Sequence, residues 1–249
     1  MGILNKLGMA VGTASRPAAR GIATGDRGRG NDAVALAAVG PNRTPEKNET
    51  NRPSNGLKEF MWSLDGLGRG TLLDLGPAWQ TTLNFFIERG FRVSSEDILR
   101  GWKNFVSEEE TQLKQHSAAA SHLERGPEGR VERFLKTNLQ YEPGAFDAIL
   151  LWDVLDYLEP EMAKQTVAHL TALLRSGGVV FAMFHSKKPE GFQRYRVADS
   201  STLQVIATPP LLPAQKVYQN REIQDMFARF RTMKSFVGRD QLRETLVTK

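Results

Sequence analysis

Apolar positions along the chain fall into short buried-type runs that alternate with stretches of helical spacing. Thr71–Leu75 (TLLDL) predicts a strand that runs into Gly76-Pro77. Trp79, Leu83, Phe86 and Ile87 then recur at helical spacing until Gly90, a residue suited to the position just past a helix end. Phe91–Ser95 predicts a second strand. Residues 101–125 are polar and helix-permissive, with Trp102, Phe105 and Val106 as their large apolar anchors. Phe146–Trp152 (FDAILLW) is almost unbroken apolar sequence, as a strand covered on both faces requires. Glu159-Pro160-Glu161 offers a helix start with proline in the first turn. Val167, Leu170, Leu173 and Leu174 supply that helix's stripe, and Ser176-Gly177-Gly178 its end. Val179–Phe184 reads as another buried strand. Tyr195–Val197 and Leu203–Ile206 suggest a small hairpin. Ile223, Met226, Phe227 and Phe230 repeat at i, i+3, i+4 and i+7 behind Asn220, a plausible cap. Thr232–Val237 and Leu242–Thr248 flank Gly238-Arg239-Asp240, a turn of hairpin composition.

Alternating strands and helices predict an α/β fold with a doubly wound, mostly parallel sheet and a C-terminal antiparallel hairpin. The folded part is expected over 57–249, with 101–130 and 187–219 as inserts. Residues 1–56 read as a disordered tail, because they contain no aromatic residue and are dominated by Gly, Pro, Asn, Arg and Thr. The first thirty residues faintly resemble an organelle transit peptide. A solvated tail is the plainer reading, and a cytoplasmic location is expected.

Charge sharpens the division. The chain of 249 residues carries a net +5. Residues 1–56 hold eight Lys and Arg against four Asp and Glu, and the remainder holds 25 against 24. The basic excess is a property of the tail, so no nucleic-acid partner is expected for the domain. The longest uncharged apolar runs fall far short of the roughly 20 residues that span a bilayer, so no membrane partner is expected either. Absence of cysteine excludes a disulfide framework, a thiolate metal site and a catalytic thiol. With four histidines (His116, His122, His169, His185), no metal site is expected.

In such sheets ligands bind beyond the carboxyl ends of the strands, where the strand order switches. The candidate residues therefore follow each strand. Asp74 and Gly76 form the first strand-to-helix turn, where a glycine lets a ligand approach the backbone; Asp74 is equally suited to binding loop amides or capping the helix. Glu96 and Asp97 end the second strand, about twenty residues past Gly76, where a carboxylate can hold both ribose hydroxyls of a nucleoside. Asp97 also suits an N-cap for the segment from Ile98. Asn138 and Leu139 precede the turn into FDAILLW, and Trp152 and Asp153 leave that strand. By hydrophobicity alone Trp152 is a core residue, and Asp153 and Asp156 are open to reading as solvated acids. His185 ends the Val179–Phe184 strand at the same rim. It is the one histidine considered for substrate contact, while His116 and His122 read as exposed.

Residues 57–249 resemble the class I S-adenosylmethionine-dependent methyltransferases. The resemblance is carried by NLQYEPGAFDAILLWDVLDYLEP followed by LLRSGGVVFAMF, and by the terminal helix and hairpin. It implies a Rossmann-like fold with a seven-stranded-type sheet, and S-adenosyl-L-methionine as cofactor. Asp74 and Gly76 would form the glycine loop, Asp97 would hold the ribose, and Asn138 and Leu139 would flank the adenine. Trp152 would border the methionine end of the cofactor, with Asp153 and His185 toward the substrate. The family pattern Asp-x-Gly-x-Gly-x-Gly keeps its first glycine as Gly76, with Ala78 and Gln80 at the other two places. A small molecule or a protein is the implied methyl acceptor, and 187–219 lies where a lid would sit. Methyl transfer from a sulfonium relies largely on positioning, so no single catalytic residue is legible. The rival readings are a binding module of this fold that has lost turnover and a nucleotide-dependent oxidoreductase.

Overall fold

The computed structural model describes residues 49–115, 127–238 and 240–249. The tail up to residue 48, His116 and His122 lie outside the described residues. The chain begins with β1 (Glu49–Pro53) and α1 (Asn55–Leu64), then alternates β2 (Gly70–Asp74), α2 (Gln80–Ile87), β3 (Phe91–Ser95) and α3 (Ile98–Gln115). After α4 (Pro127–Asn138) come β4 (Phe146–Trp152), a short 3-10 turn at Val154–Tyr157, α5 (Pro160–Leu173) and β5 (Leu174–His185). β6 (Phe192–Val197), β7 (Thr202–Thr208), α6 (Asn220–Met226), β8 (Thr232–Val237) and β9 (Leu242–Thr248) complete the chain.

The main sheet has the order β3-β2-β4-β5-β9-β8. Its first four strands are parallel, and β9 inserts antiparallel between β5 and β8. This is the doubly wound α/β fold with its terminal hairpin. Among the described residues the sheet has six strands, one fewer than a seven-stranded type, and the elements described between β3 and β4 are helices α3 and α4.

Side-chain alternation along the strands feeds two cores. Leu73, Ile149, Leu151 and Val180 pack on one face with residues of α3, α4, α5 and α6. Leu72, Leu150, Phe181 and Met183 pack on the other with α1, α2 and a second sheet of order β1-β7-β6. Both faces being covered explains why β4 is apolar along nearly its whole length. Each fully buried Leu or Phe in these layers contributes roughly 1.5–3 kcal/mol.

The expected boundary at residue 56 is corrected. Residues 49–53 form β1, paired antiparallel with β7, and Ser54 caps α1 by accepting the Leu57 N–H at 2.9 Å. β1 (ETNRP) buries only Arg52, so it lacks the apolar alternation that marks a strand. What holds it is non-local: Arg52 is ion-paired with Asp240 and Glu244 of the terminal hairpin. Two helix limits also move. α5 ends at Leu173, and Gln219 rather than Asn220 caps α6.

Candidate functional site

From β2 the chain forms β3 on one side, then crosses back to lay β4 on the other side of β2. The crevice beyond Asp74 of β2 and Trp152 of β4 is therefore the switch point where such sheets take ligands. Asp74 sits at its floor. Its Oδ1 accepts the Gly76 N–H at 2.9 Å and the Trp152 Nε1–H at 2.6 Å, while Oδ2 is buried without a hydrogen-bond partner. Burial pushes this carboxyl up to about 6, against the two hydrogen bonds that favour its charged form.

Trp152 reaches Asp74 through an unusual backbone. Its φ is +55°, in the left-handed region that a bulky residue rarely enters, and the β4–β5 register shifts beside it. The indole lies against Gly76: a Cβ there would stand 2.8 Å from Trp152 Nε1 and 2.9 Å from its Cδ1. Gly76 is a glycine here because the indole occupies the space a side chain would need.

Strand β6 lies over this crevice and engages it at three consecutive residues. Arg194 Nη2 donates to both Asp97 oxygens, at 3.1 and 3.2 Å. Tyr195 stacks on Trp152, with ring centres 6.1 Å apart and planes 12° apart, and its hydroxyl donates to Asp153 at 3.1 Å. The Arg196 guanidinium lies over the Trp79 ring at 5.6 Å. At the next residue the Val197 N–H donates to Thr82 Oγ1 of α2 at 3.0 Å, fastening the strand down.

Asp97 combines both roles considered for it. It caps α3 by accepting the Arg100 N–H at 3.2 Å, and its carboxylate faces the crevice rim, where Arg194 takes it. Glu96 instead accepts the Tyr141 hydroxyl at 2.8 Å. Asn138 stays near the α3 side, with Nδ2 donating to the Phe134 carbonyl at 3.0 Å. Leu139, at 1% exposure, is buried in the core beside α3, α4 and α5.

A second polar group adjoins the crevice at the ends of β4 and β5. Asp153 and Asp156, open to reading as solvated acids, are buried because β6 and β5 close over the 3-10 turn. Asp156 Oδ2 accepts the His185 backbone N–H at 2.7 Å and faces His185 Nδ1 at 2.9 Å. His185 Nε2 stands 3.9 Å from Asp153 Oδ2, beyond hydrogen-bond reach. Burial raises Asp153 to about 7, with the His185 charge opposing. Sequence reasoning missed Arg194, Tyr195 and Asp156 as site residues. The i, i+3 spacing of Asp153 and Asp156 places both in one turn and was the available signal for Asp156. No local signal joins Arg194 to Asp97 across 97 positions.

Among the described residues no cluster of His, Asp and Glu could hold a metal ion, and no helix is long and apolar enough to cross a membrane. The fold and crevice place the molecule among doubly wound α/β domains with a switch-point site. No family model matches the chain, and no curated protein does. Solved structures overlay on it loosely. A 1,6-didemethyltoxoflavin-N1-methyltransferase from Burkholderia thailandensis, with its substrate and S-adenosylhomocysteine bound, is 14% identical over 79% of each chain, with a TM-score of 0.41. A SAM-dependent methyltransferase from Archaeoglobus fulgidus is 11% identical, covering 78% of this chain and 91% of its own, with a TM-score of 0.45. One from Methanosarcina mazei is 11% identical, covering 73% and 93%, with a TM-score of 0.39.

Proposed function

We propose that this chain is an S-adenosylmethionine-dependent methyltransferase acting on a small-molecule or protein acceptor. The observation that supports this best is the switch-point crevice itself, with Asp74 and Gly76 at the end of β2 and Asp97 at the end of β3. A carboxylate about twenty residues beyond the first glycine is suited to the ribose hydroxyls of a nucleoside. Asp97 would hold that ribose, Asp74 would order the Gly76 turn, and Asn138 would border the base. The cofactor supplies an electrophilic methyl group; the chain supplies position and exclusion of water.

The groups fit this ligand on one condition. Arg194 of β6 already satisfies Asp97 and the Trp152 indole of β4 already fills the space over Gly76, so Arg194 must release Asp97 and the indole must turn aside before a nucleoside can enter. Apparent affinity is then reduced by the fraction of molecules in the open form. The same closure favours a second reading, a binding module of this fold without turnover.

The test is transfer of labelled methyl from S-adenosylmethionine into the small-molecule and protein fractions of a bacterial extract, alongside thermal shift. A ligand bound only by the native state raises its melting temperature. Stabilisation by S-adenosylmethionine and its demethylated product but not by NAD, with labelled product, is the expected result. Stabilisation without product favours the binding module. No stabilisation by either compound overturns both readings.

A further inference from the structure

Strand β6 is the outer strand of its sheet: β7 pairs with one edge, and on the other the Val197 N–H is bound by Thr82 of α2 at 3.0 Å. Side chains make its remaining ties to the crevice, and three of these ties join into one line. The Trp152 indole N–H donates to Asp74 at 2.6 Å, the indole stacks on Tyr195 with ring centres 6.1 Å apart, and the Tyr195 hydroxyl donates to Asp153 at 3.1 Å. A buried carboxyl therefore stands at each end of the line, one bound by each ring of the stacked pair.

Neither end is furnished for a charge. An ionised carboxylate offers about four acceptor sites. Among the described residues Asp153 accepts one hydrogen bond, from Tyr195, and His185 Nε2 at 3.9 Å is out of bonding reach. Asp74 accepts two on a single oxygen, and its other oxygen is buried without a partner among the described residues. A buried charge bonded so sparsely is costly, whereas a neutral carboxyl or a hydrated carboxylate is not. The closed crevice favours the neutral acids, and opening to water favours the ions.

The surrounding groups agree in direction. Burial, the largest effect, raises Asp153 to about 7 against the charges of His185 at the end of β5 and Arg194 of β6, and Asp156 adds to the rise. Tyr157 faces Asp153 and Asp156 from the same turn. Burial likewise raises Asp74, to which the Asp97 charge at the start of α3 adds. For His185 burial works against the charged ring, but the bond to Asp156 and the charges of Asp153, Asp156 and Asp240 outweigh it. Its proton too is held more tightly in the closed form. Arg243 approaches Asp156 from β9, and Arg52 approaches Tyr195 from β1.

We infer that the crevice opens by a proton-linked step, in which Asp74 and Asp153 are neutral while the Trp152–Tyr195 stack is closed and lose their protons to water when it parts. In each carboxyl the oxygen–hydrogen bond breaks, the electron pair stays on oxygen, and the proton goes to solvent. The inference rests on reading the crevice as the cofactor site and gives that site a regulation: entry is favoured as pH rises from 5 to 8.

The test follows hydrogen exchange of the Val197 amide, whose bond to Thr82 breaks when β6 lifts, in the full chain without ligand. Protection is corrected for the intrinsic effect of pH and compared with Ile149 of β4, which reports opening of the whole fold. Val197 should be protected well below Ile149, and its protection should fall at least about tenfold from pH 5 to 8. Asp153→Asn and Asp74→Asn, which cannot ionise, should each reduce that fall, and the double variant should lose most of it. Val197 protection that is constant with pH, or equal to that of Ile149, overturns the inference without any variant having to fold. So does a full pH dependence kept in the double variant. S-adenosylhomocysteine binding that tightens over the same range supports the step. The expected Val197 profile in a chain that binds no S-adenosylhomocysteine leaves the proton-linked opening standing and removes the proposed methyl transfer instead.

Discussion

Asp74 is held in the folded chain with one oxygen satisfied twice and the other not at all. Its carboxyl, raised from 3.8 to about 6, favours the folded state most fully below its unfolded value. That contribution is lost as pH rises through about 6, at a cost on the order of 3 kcal/mol for a shift of this size. Asp74→Asn should therefore flatten the fall in stability between pH 4 and 6, measured by urea unfolding across that range. An unchanged slope would show that Asp74 ionises freely. Gly76→Ala brings a Cβ onto the indole and should destabilise by about 1–3 kcal/mol, read in the same experiment. Asp74, Gly76 and Asp97 were legible in the sequence because each stands at the end of an apolar strand run. Trp152 was legible as a residue but not as a shape. Nothing local predicts that a tryptophan will adopt φ +55° and turn its indole back over the glycine. The burial of Leu139 was not legible, since its place before the turn into β4 does not tell a core leucine from one that walls a ligand.

Among the elements, the buried strands and amphipathic helices could be read because each carries its own periodicity. β1 could not be, because a polar edge strand is defined by its partners, Thr202–Ile206 and the hairpin acids, all more than 140 positions away. Ser54→Ala removes the α1 cap and should cost about 1 kcal/mol in chemical denaturation. Loss of all residues through 56 should lower the melting temperature clearly, because it removes β1, the cap and the Arg52 ion pairs together; an unchanged melting temperature would show that β1 contributes nothing to the domain. β6 was visible only in part, as Tyr195–Val197, since its function in the fold lies in the side chains it sets against β2, β3 and β4. Freed of Arg194, it should open more often. Amide hydrogen exchange along 192–197 should be faster in Arg194→Ala than in the wild type, and equal exchange would show that the ion pair does not hold the strand.

Over the whole molecule, one sheet forms a candidate crevice at the β2–β4 switch, and the buried group of Asp153, Asp156 and His185 lies beside it at the ends of β4 and β5. The mostly parallel sheet, and candidate sites at its strand ends, followed from alternating strands and helices and the rule that ligands collect there, while the strand order itself did not. The closed state of the crevice did not follow, because it is a long-range side-chain arrangement. The central claim is that Arg194 and the ligand compete for the Asp97 carboxylate, which gives two neighbouring charges opposite effects. Calorimetric titration of S-adenosylhomocysteine into the wild type, Asp97→Ala and Arg194→Ala tests it directly. Asp97→Ala should weaken binding by on the order of 1.5–3 kcal/mol, the loss of a charged hydrogen bond. Arg194→Ala should tighten it, because more molecules are open. Binding that falls equally in both variants, or that is absent from all three folded proteins, would contradict the account.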